Sequence, residues 1–409
     1  MDARKARGQE IAAQKRIRKT TGGYLVPSQS GQGKYAVTDA EAPAARCTCP
    51  DFELRGEPCK HIWAVRVVIQ QSFSFDGETV TETVSITKTV ERKTYPQNWP
   101  AYNAAQTNEK DKFMILLRDL VAGLPEPEAK RGRPRLSPRD AVFAAVFKGY
   151  TTVSARRSMS DLREARKRGY LSKLPCHNSV LNALEYPDLT PILRDLIVES
   201  SRPLSTVEVD FAADSSGFTT SRFHRWYDHK YGVERQEHDW VKVHLMCCVK
   251  TNVVTAIEIG ERNASDTKQL PALVATTAEH FAMAEVSADK GYASANNIET
   301  VKNVGAEPFI AFRTSDTGWT GGAWAKAFGY FLYRREEFLA HYHKRSNVET
   351  TFSMIKRKFG DFVRSKTDVA MANEAMCKVL AHNLVVLIHE MYELGIEPAF
   401  WPKTTPTLS

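Results

Sequence analysis

Residues 206–217 read TVEVDFAADSSG, and this stretch indicates the fold class of the chain. Apolar and polar side chains alternate along it, as they do in a strand that buries one face. The apolar residues are Val207, Val209 and Phe211. Asp210 and Asp214 share the opposite face, and we expect the strand to end at Ser215. Asp214 would then stand at the carboxyl edge of a sheet, where open α/β sheets hold their ligand sites.

The chain continues with strand patterns that alternate with helical ones. The strands read VKVHLMCCV, VVTAIEI, EVSAD and EPFIAF, and the last strong helical patterns lie at about 338–358 and 369–393. This alternation predicts an α/β fold. The EVSAD strand ends in Asp289, so Asp214 and Asp289 could hold a divalent metal ion if their strands are neighbours. An aspartate at a strand end is also common as a cap or turn residue, and spacing alone does not decide between Asp210 and Asp214.

One helical pattern collects charged and aromatic groups on a single face. Tyr342, Arg345, Glu349 and Lys356 are separated by three, four and seven residues in turn. At about 100° per residue they fall within an arc of roughly 60° on one helix. The adjoining apolar stripe consists of Val348, Phe352, Ile355 and Phe359. That stripe can pack on the sheet and hold Glu349 facing the strand ends, although an ordinary amphipathic helix has the same spacing.

The stretch at 130–168 is the most basic part of the chain, with twelve lysines and arginines against three acids. Helical patterns follow one another there and just beyond, at about 138–149, 158–168 and 177–184. Because phosphate backbones attract basic surfaces, we predict a basic helical DNA-binding domain at 130–203.

Four arginines of this domain are candidates for DNA contact. Arg131 and Arg133 belong to an R-G-R-P sequence like the core of an AT-hook, whose arginines enter a narrow minor groove. A basic linker before the next helix is the alternative. Arg156 and Arg157 can face DNA from a helix, or they can belong to a solvated face.

A block of cysteines near the amino terminus has the spacing of a metal site. Cys47 and Cys49 form a Cys-x-Cys pair, and Cys59 and His61 form a Cys-x-His pair after a gap of nine residues. Structural zinc sites take four thiolate or imidazole ligands and leave no open position for water. We therefore expect one structural zinc ion, the alternative being a chance cluster of small apolar cysteines.

Composition narrows the class of protein. With 409 residues the chain is long enough for two or three domains, and 42% hydrophobic residues exclude wholesale disorder. A net charge of +8 suggests a polyanionic partner. We find no apolar run long enough for a membrane span and no secretory signal in the first twenty residues. Seven cysteines do not suggest a disulfide framework, so we expect a cytoplasmic protein.

These patterns divide the chain into six predicted segments. They are a basic tail at 1–21, a zinc module at 22–72, a linker with a short helix at 73–129, the basic helical domain at 130–203, an α/β domain at 204–396 with a short insertion at 313–339, and a tail at 397–409. The first segment is either a solvated tail or an arm that contacts phosphates.

The motifs at Tyr342, Arg345, Glu349 and Lys356 match without a gap the Y-R-E-K signature of DDE transposases from bacterial insertion sequences. Asp214-Ser-Ser-Gly resembles the first-aspartate motif of that family, and Ala-Asp289-Lys-Gly-Tyr resembles the second. The zinc module resembles a SWIM zinc finger, whose pattern is C-x-C followed by C-x-H. A SWIM finger is not general among these transposases, and the segment at 313–339 is too short for the large β insertion of some relatives.

The resemblance implies a ribonuclease-H-like catalytic domain. Asp214, Asp289 and Glu349 would form a triad that binds two magnesium or manganese ions, with Tyr342, Arg345 and Lys356 on phosphates near the element end. It implies cleavage of double-stranded DNA and joining of 3′ ends to a target, by a homodimer on DNA associated with the nucleoid. The rival interpretations are a domesticated DNA-binding regulator and a structure-specific nuclease of the same superfamily.

Overall fold

The computed structural model describes residues 3–14, 17–28, 33–40, 45–72, 98–126, 136–220, 230, 240–260 and 265–401. The chain divides into two compact units, Met1–Gln97 and Asn98–Ser409.

The first unit pairs three helices with a four-stranded antiparallel sheet in the order β1-β2-β3-β4. Its elements are α1 (Ala3–Gln14), β1 (Arg18–Thr20), β2 (Gly23–Pro27), β3 (Lys34–Thr38), β4 (Arg46–Cys47), α2 (Pro50–Arg55) and α3 (Lys60–Ser72). Helix α1 packs so closely on α3 that a Cβ at Gly8 would lie 2.6 Å from Trp63 Cβ. The prediction of a tail at 1–21 is wrong, because α1 and β1 are built into this unit.

The second unit begins with six helices. They are α4 (Trp99–Thr107), α5 (Glu109–Val121), α6 (Pro138–Thr151), α7 (Met159–Lys167), α8 (His177–Leu184) and α9 (Leu189–Ser201), followed by a 3-10 turn at Arg202–Leu204. The three helices predicted in the basic stretch and the short helix of the predicted linker are confirmed. Helix α4 was not predicted, and it belongs with α5 to the second unit rather than to a linker. Residues 73–97 lie outside the described residues.

A mixed five-stranded sheet follows, in the order β7-β6-β5-β8-β9. Its strands are β5 (Asp210–Thr219), β6 (Trp240–Cys248), β7 (Val254–Gly260), β8 (Glu285–Ala288) and β9 (Glu307–Ile310). The helices among and after them are α10 (Leu270–Ala278), α11 (Ala295–Asn303), α12 (Gly322–Tyr333), α13 (Arg335–Tyr342), α14 (Ser346–Phe359) and α15 (Asp368–Glu393). Strands β5, β8 and β9 run parallel, whereas β5, β6 and β7 pair antiparallel. The predicted α/β character is confirmed.

One hydrophobic core joins the six helices to the sheet. Helix α15 lies at its centre and packs on α6, on α9 and on the sheet. The buried side chain of Asn383 accepts a hydrogen bond from Val254 N at 2.8 Å and donates one to Ile197 O at 3.2 Å, which links α15 to β7 and α9. The predicted boundary at 203/204 therefore divides one compact unit and does not separate two.

Helix α15 is also the described helix that is long and apolar enough to cross a membrane, but its apolar window is 94% buried inside the protein. It has the burial of a core helix.

The predicted tail at 397–409 is partly wrong as well, because Trp401 Nε1 donates to Leu120 O at 2.9 Å. Residues 402–409 lie outside the described residues.

Three local predictions about the segment at 204–396 are wrong. Strand β5 does not end at Ser215, since its pairing with β6 continues to Thr219. The helix predicted over 338–358 is broken, because α13 ends at Tyr342 and a 3-10 turn, His343–Arg345, precedes α14. Val209, expected on the buried face, lies before β5 and is 49% exposed.

Candidate active site and zinc site

Asp214 and Asp289 lie side by side on neighbouring strands. The parallel pairing of β5 with β8 ends at Ala213 and Ala288, and each aspartate is the next residue of its strand. Adjacent strands lie about 4.8 Å apart, so the two aspartates lie close together at the point where β8 ends beside β5. The condition for a shared metal ion, that the two strands be neighbours, is met.

Arg345 brings the third acid to this edge. Its Nη1 lies 2.8 Å from Asp214 Oδ2, and its Nη2 donates to Glu349 Oε1 one helical turn further on. The side chains of Asp214 and Arg345 are each only 20% exposed, whereas Glu349 is 57% exposed. The guanidinium therefore lies between the two carboxylates and neutralises charge that water reaches poorly.

The electrostatics show that the three acids influence one another. Burial raises the pKa of Asp214, while a hydrogen bond from Ser215 N and the charge of Arg345 lower it. Asp289 and Glu349 raise it further, because each is a like charge close by. The net shift is upward, as is typical of acidic groups gathered at a functional site.

Tyr342 and Lys356 stand beside the acids. Burial raises the pKa of the Tyr342 hydroxyl, and the nearby Asp289 adds to the shift. Lys356 Nζ donates to Ser216 Oγ at 2.7 Å and lies 5.5 Å from the centre of the Phe218 ring. Although the single helix predicted for these residues is broken by the turn before α14, Arg345 and Lys356 both reach β5.

A cleft of about 510 Å³ opens at this edge of the sheet. It is lined by Asp214, Ser215, Ser216, Glu349, Phe352, Ser353, Lys356, Arg357 and Asp361. Acids, hydroxyls and cations thus surround one space, which suits a ligand that carries both negative charge and bound cations.

Asp210, the alternative to Asp214, is engaged elsewhere. Lys344 Nζ lies 2.7 Å from Asp210 Oδ2 and 2.7 Å from Glu285 Oε2. His341 Nδ1 lies 2.8 Å from the other oxygen of Glu285. These contacts hold the turn before α14 against β5 and β8.

Some residues of the site could not be found by sequence reasoning. Asp266 Oδ1 lies 2.6 Å from Lys242 Nζ and 3.3 Å from Ser215 Oγ. The buried Tyr292 hydroxyl lies 3.1 Å from His244 Nδ1 on β6. Asp266 ends no strand pattern, and His244 lies inside an apolar run, so neither gave a signal.

The predicted DNA-binding arginines fall into two groups. Arg156 and Arg157 are exposed, but they lie in the turn before α7, so their predicted place on a helix is wrong. Arg131 and Arg133 lie outside the described residues.

The four predicted zinc ligands converge. Cys47 ends β4, Cys49 precedes α2, and Cys59 and His61 lie at the start of α3. Their ligand atoms all lie within 4.8 Å of one another, and all four side chains are buried. Gly56, whose φ of 67° suits a residue without a side chain, ends α2 so that the chain can return to the site.

The chemistry of these donors fits zinc. His61 Nδ1 lies 3.9 Å from Cys47 Sγ and 3.8 Å from Cys59 Sγ. The hydrogen bond from Cys47 is the largest of the effects that lower the pKa of Cys59, and the same contact raises the pKa of Cys47, so the two thiols share one proton site. Three sulfurs and one ring nitrogen are a donor set of structural zinc sites, in which four protein ligands surround the ion.

Two models of known families match parts of the chain. A family model described as the transposase DDE domain matches residues 205–384, and one described as the SWIM zinc finger matches residues 37–65. The first match includes Asp214, Asp289 and Glu349, and the second includes all four zinc ligands. A search of curated proteins found no match.

Proposed function

Because the chain carries a transposase DDE domain and a SWIM zinc finger, we propose that it is a DNA transposase that binds the ends of its mobile element, cuts them and joins the 3′ ends to target DNA. The observation that carries the proposal is the meeting of Asp214, Asp289 and Glu349 at one edge of the sheet, with Arg345 between the first and the last. The strand order and the sequence of the acids support a ribonuclease-H-like fold.

The donor atoms of this edge suit magnesium or manganese. Carboxylate oxygens are the ligands that such hard cations select, and Asp214, Asp289 and Glu349 would hold them. When bound, a pair of ions stabilises the charge on the attacking and leaving oxygens of a phosphodiester. The carboxylates must release Arg345 at least in part to accept them, because its guanidinium now bridges Asp214 and Glu349.

Once released from the carboxylates, the Arg345 guanidinium can bind DNA. A guanidinium can bind a phosphate through two parallel hydrogen bonds, so Arg345 would pass from the carboxylates to the DNA strand. Lys356, held by Ser216 inside the cleft, adds a second positive charge. Tyr342, with its raised pKa, keeps its proton at neutral pH, so its hydroxyl can donate a hydrogen bond to a phosphate oxygen.

The reaction has two steps of the same kind. Water attacks the phosphorus at the element end, the bond to the 3′ oxygen breaks, and a 3′ hydroxyl and a 5′ phosphate result. That hydroxyl then attacks a target phosphodiester and displaces the 3′ oxygen of the target strand. One site serves both steps because only the nucleophile changes, and we propose a homodimer on DNA because two ends must be processed.

The remaining segments support recognition. Exposed Arg156 and Arg157, and the basic R-G-R-P sequence with Arg131 and Arg133, would contact duplex DNA, which would associate the protein with the nucleoid. The zinc ion would be structural, because its four protein ligands leave no position open.

The test uses purified protein, magnesium and the DNA that flanks its gene. We expect nicking at the element ends to vanish in Asp214→Ala, Asp289→Ala and Glu349→Ala while DNA binding persists. Binding without nicking by the wild type would favour a domesticated regulator. Nicking without joining would favour a structure-specific nuclease. Loss of activity in Asp210→Ala but not in Asp214→Ala would refute the choice of first ligand.

A further inference from the structure

Three charged side chains are buried beneath the loop at 360–367, between α14 and α15. Lys148 on α6 is 6% exposed, and Glu374 and Lys378 on α15 are 5% and 4% exposed. Burying charges is costly unless each is paired and hydrogen-bonded. The proposed chemistry uses none of the three, so another role must account for them.

Glu374 binds the backbone of the loop. Its Oε2 accepts hydrogen bonds from Arg364 N at 3.0 Å, from Ser365 N at 2.8 Å and from Ser365 Oγ at 2.7 Å. Its Oε1 lies 3.8 Å from Lys148 Nζ. Burial raises the pKa of Glu374, but Lys148 and the Ser365 bonds outweigh it and hold the net pKa below the usual range. The carboxylate therefore stays charged and keeps its hydrogen bonds to the loop.

Lys378 binds the other end of the same loop. Its Nζ donates to Gly360 O at 3.0 Å and to Phe362 O. The same ammonium lies 5.6 Å from the centre of the Phe218 ring, on the strand that carries the first acid of the site. Charged groups on one helix thus hold both halves of the loop.

The loop is also tied to the end of β5. Thr219 N donates to Asp361 O at 3.0 Å, and Val363 N donates to Thr219 O at 2.8 Å. Asp361 and Arg357 line the cleft that is also lined by Asp214 and Glu349. The loop therefore starts at the rim of the cleft and leads away from it in a fixed path.

The outward side of the loop carries more positive than negative charge, because Arg364 and Lys366 outnumber its one exposed acid, Asp361. Arg364 and Lys366 are exposed, as is Arg357 at the end of α14. None of the three forms an ion pair with any residue in the part of the chain that the structure describes. The Arg364 guanidinium lies 5.5 Å from the centre of the Phe362 ring, which restricts its direction.

We propose that Arg357, Arg364 and Lys366 bind the phosphate backbone of the DNA strand that enters the cleft, and that Glu374 and Lys378 are positioning residues that hold the loop for this contact. The inference rests on the proposed function, because it takes the cleft to be the place where DNA is cut. A cation already fixed in place loses little freedom on binding, so a rigid loop binds a phosphate more tightly than a mobile one.

The first test removes the charges. Binding of a fluorescent duplex is measured by anisotropy over a range of salt concentrations without magnesium. In Arg364→Gln/Lys366→Gln we expect the slope of log affinity against log salt to fall by about two, since each lost phosphate contact reduces it by about one. Lys250→Gln is the matched control, because Lys250 is exposed in the turn after β6, at the far end of β5 from the loop. It should leave the slope unchanged.

The second test releases the loop and keeps its surface charges. Lys378→Met should speed hydrogen exchange of the loop amides and weaken DNA binding about tenfold. Combined with Arg364→Gln/Lys366→Gln, it should cause little further loss, because both changes remove the same contact.

An unchanged salt slope in Arg364→Gln/Lys366→Gln would overturn the proposed contact, and these surface changes do not endanger folding. Faster exchange in Lys378→Met with unchanged binding would overturn the positioning role. A nicking assay run in parallel keeps this inference apart from the proposed function. If the variant lowers the salt slope as expected but the wild type never nicks DNA, the catalytic proposal alone is refuted. If the wild type nicks DNA normally but the variant leaves the salt slope unchanged, the loop contact alone is refuted.

Discussion

Lys344 Nζ lies 2.7 Å from Asp210 Oδ2, and this ion pair holds the turn that precedes α14 against the central strand of the sheet. Lys344 immediately precedes Arg345, whose guanidinium reaches the second aspartate of that strand, Asp214, at 2.8 Å. The two aspartates of β5 therefore have different partners. One orients the turn, and the other stands at the site.

This difference can be measured. We expect Asp210→Asn to lower the nicking rate about tenfold, because it loosens the support of Arg345 without removing a metal ligand. Asp214→Asn should lower it roughly a hundredfold or more, because it removes one. Titration with manganese should show near-normal affinity in Asp210→Asn and weakened affinity in Asp214→Asn. Equal metal affinities in the two variants would contradict the assignment.

Arg345 should compete with metal ions for Asp214 and Glu349. We expect Arg345→Gln to abolish nicking while binding manganese at least as tightly as the wild type, because the carboxylates no longer hold a guanidinium. Calorimetric titration with manganese in the absence of DNA measures this directly. Lys344→Gln is the control, since its side chain contacts Asp210 and Glu285 instead. Weaker manganese binding in Arg345→Gln would show that the arginine supports the ligands.

Acid should destabilise the second unit. Burial lowers the pKa of His382 to about 4, and its Nε2 lies 2.9 Å from Asn252 O. The unfolded chain therefore binds more protons than the folded one between about pH 6.5 and pH 4, and stability falls as pH falls through that range. His382 accounts for about 3 kcal/mol of the free energy of unfolding that is lost as pH falls through this range.

Urea unfolding at a series of pH values tests this expectation. In His382→Gln, whose amide can still donate to Asn252 O, the loss of stability between pH 6.5 and pH 4 should be smaller. Some dependence should remain, because burial also lowers the pKa of His244 to about 4. An identical pH dependence in the variant and the wild type would rule out a folded pKa this low.

Removal of zinc should unfold the first unit and spare the second. Structural zinc contributes its binding free energy to folding, and this unit has a small core of its own. We expect Cys59→Ser to lose bound zinc by elemental analysis and to expose α1 and α3 to protease. Cys176→Ser is the control, because that cysteine is exposed and lies outside the ligand group. Retention of zinc by Cys59→Ser would refute the ligand set.

The parts of the fold that the sequence predicted are those with local signals. Alternation marked β5, an apolar run marked β6, periodicity marked α6 to α8, and paired spacing marked the zinc ligands. The break before α14 was missed because the periodic pattern runs through the 3-10 turn without a glycine or proline to interrupt it. Strand β5 was cut short because serines and a glycine commonly end strands, whereas here antiparallel pairing with β6 carries them on to Thr219.

The long-range parts of the site were beyond the reach of the sequence. The pairing of β5 with β8 joins residues far apart along the chain, and their spacing does not determine which strands become neighbours. Lys344, Asp266 and Glu374 matter because of what faces them in the fold, and a charged residue carries no sign of its partner. The tail predicted at 1–21 failed for a similar reason, because its contacts with α3 are tertiary.

The buried apolar side chains of α15 limit where this protein can be divided into fragments. Helices α6 and α9, which come before the sheet along the chain, pack on α15, and so do strands β6 and β7. A fragment that begins at β5 would lack these helices and expose apolar side chains of α15 to water, so it should precipitate. A fusion protein that exchanges the first unit should therefore keep the whole second unit, from Asn98 onward, and be joined before that residue.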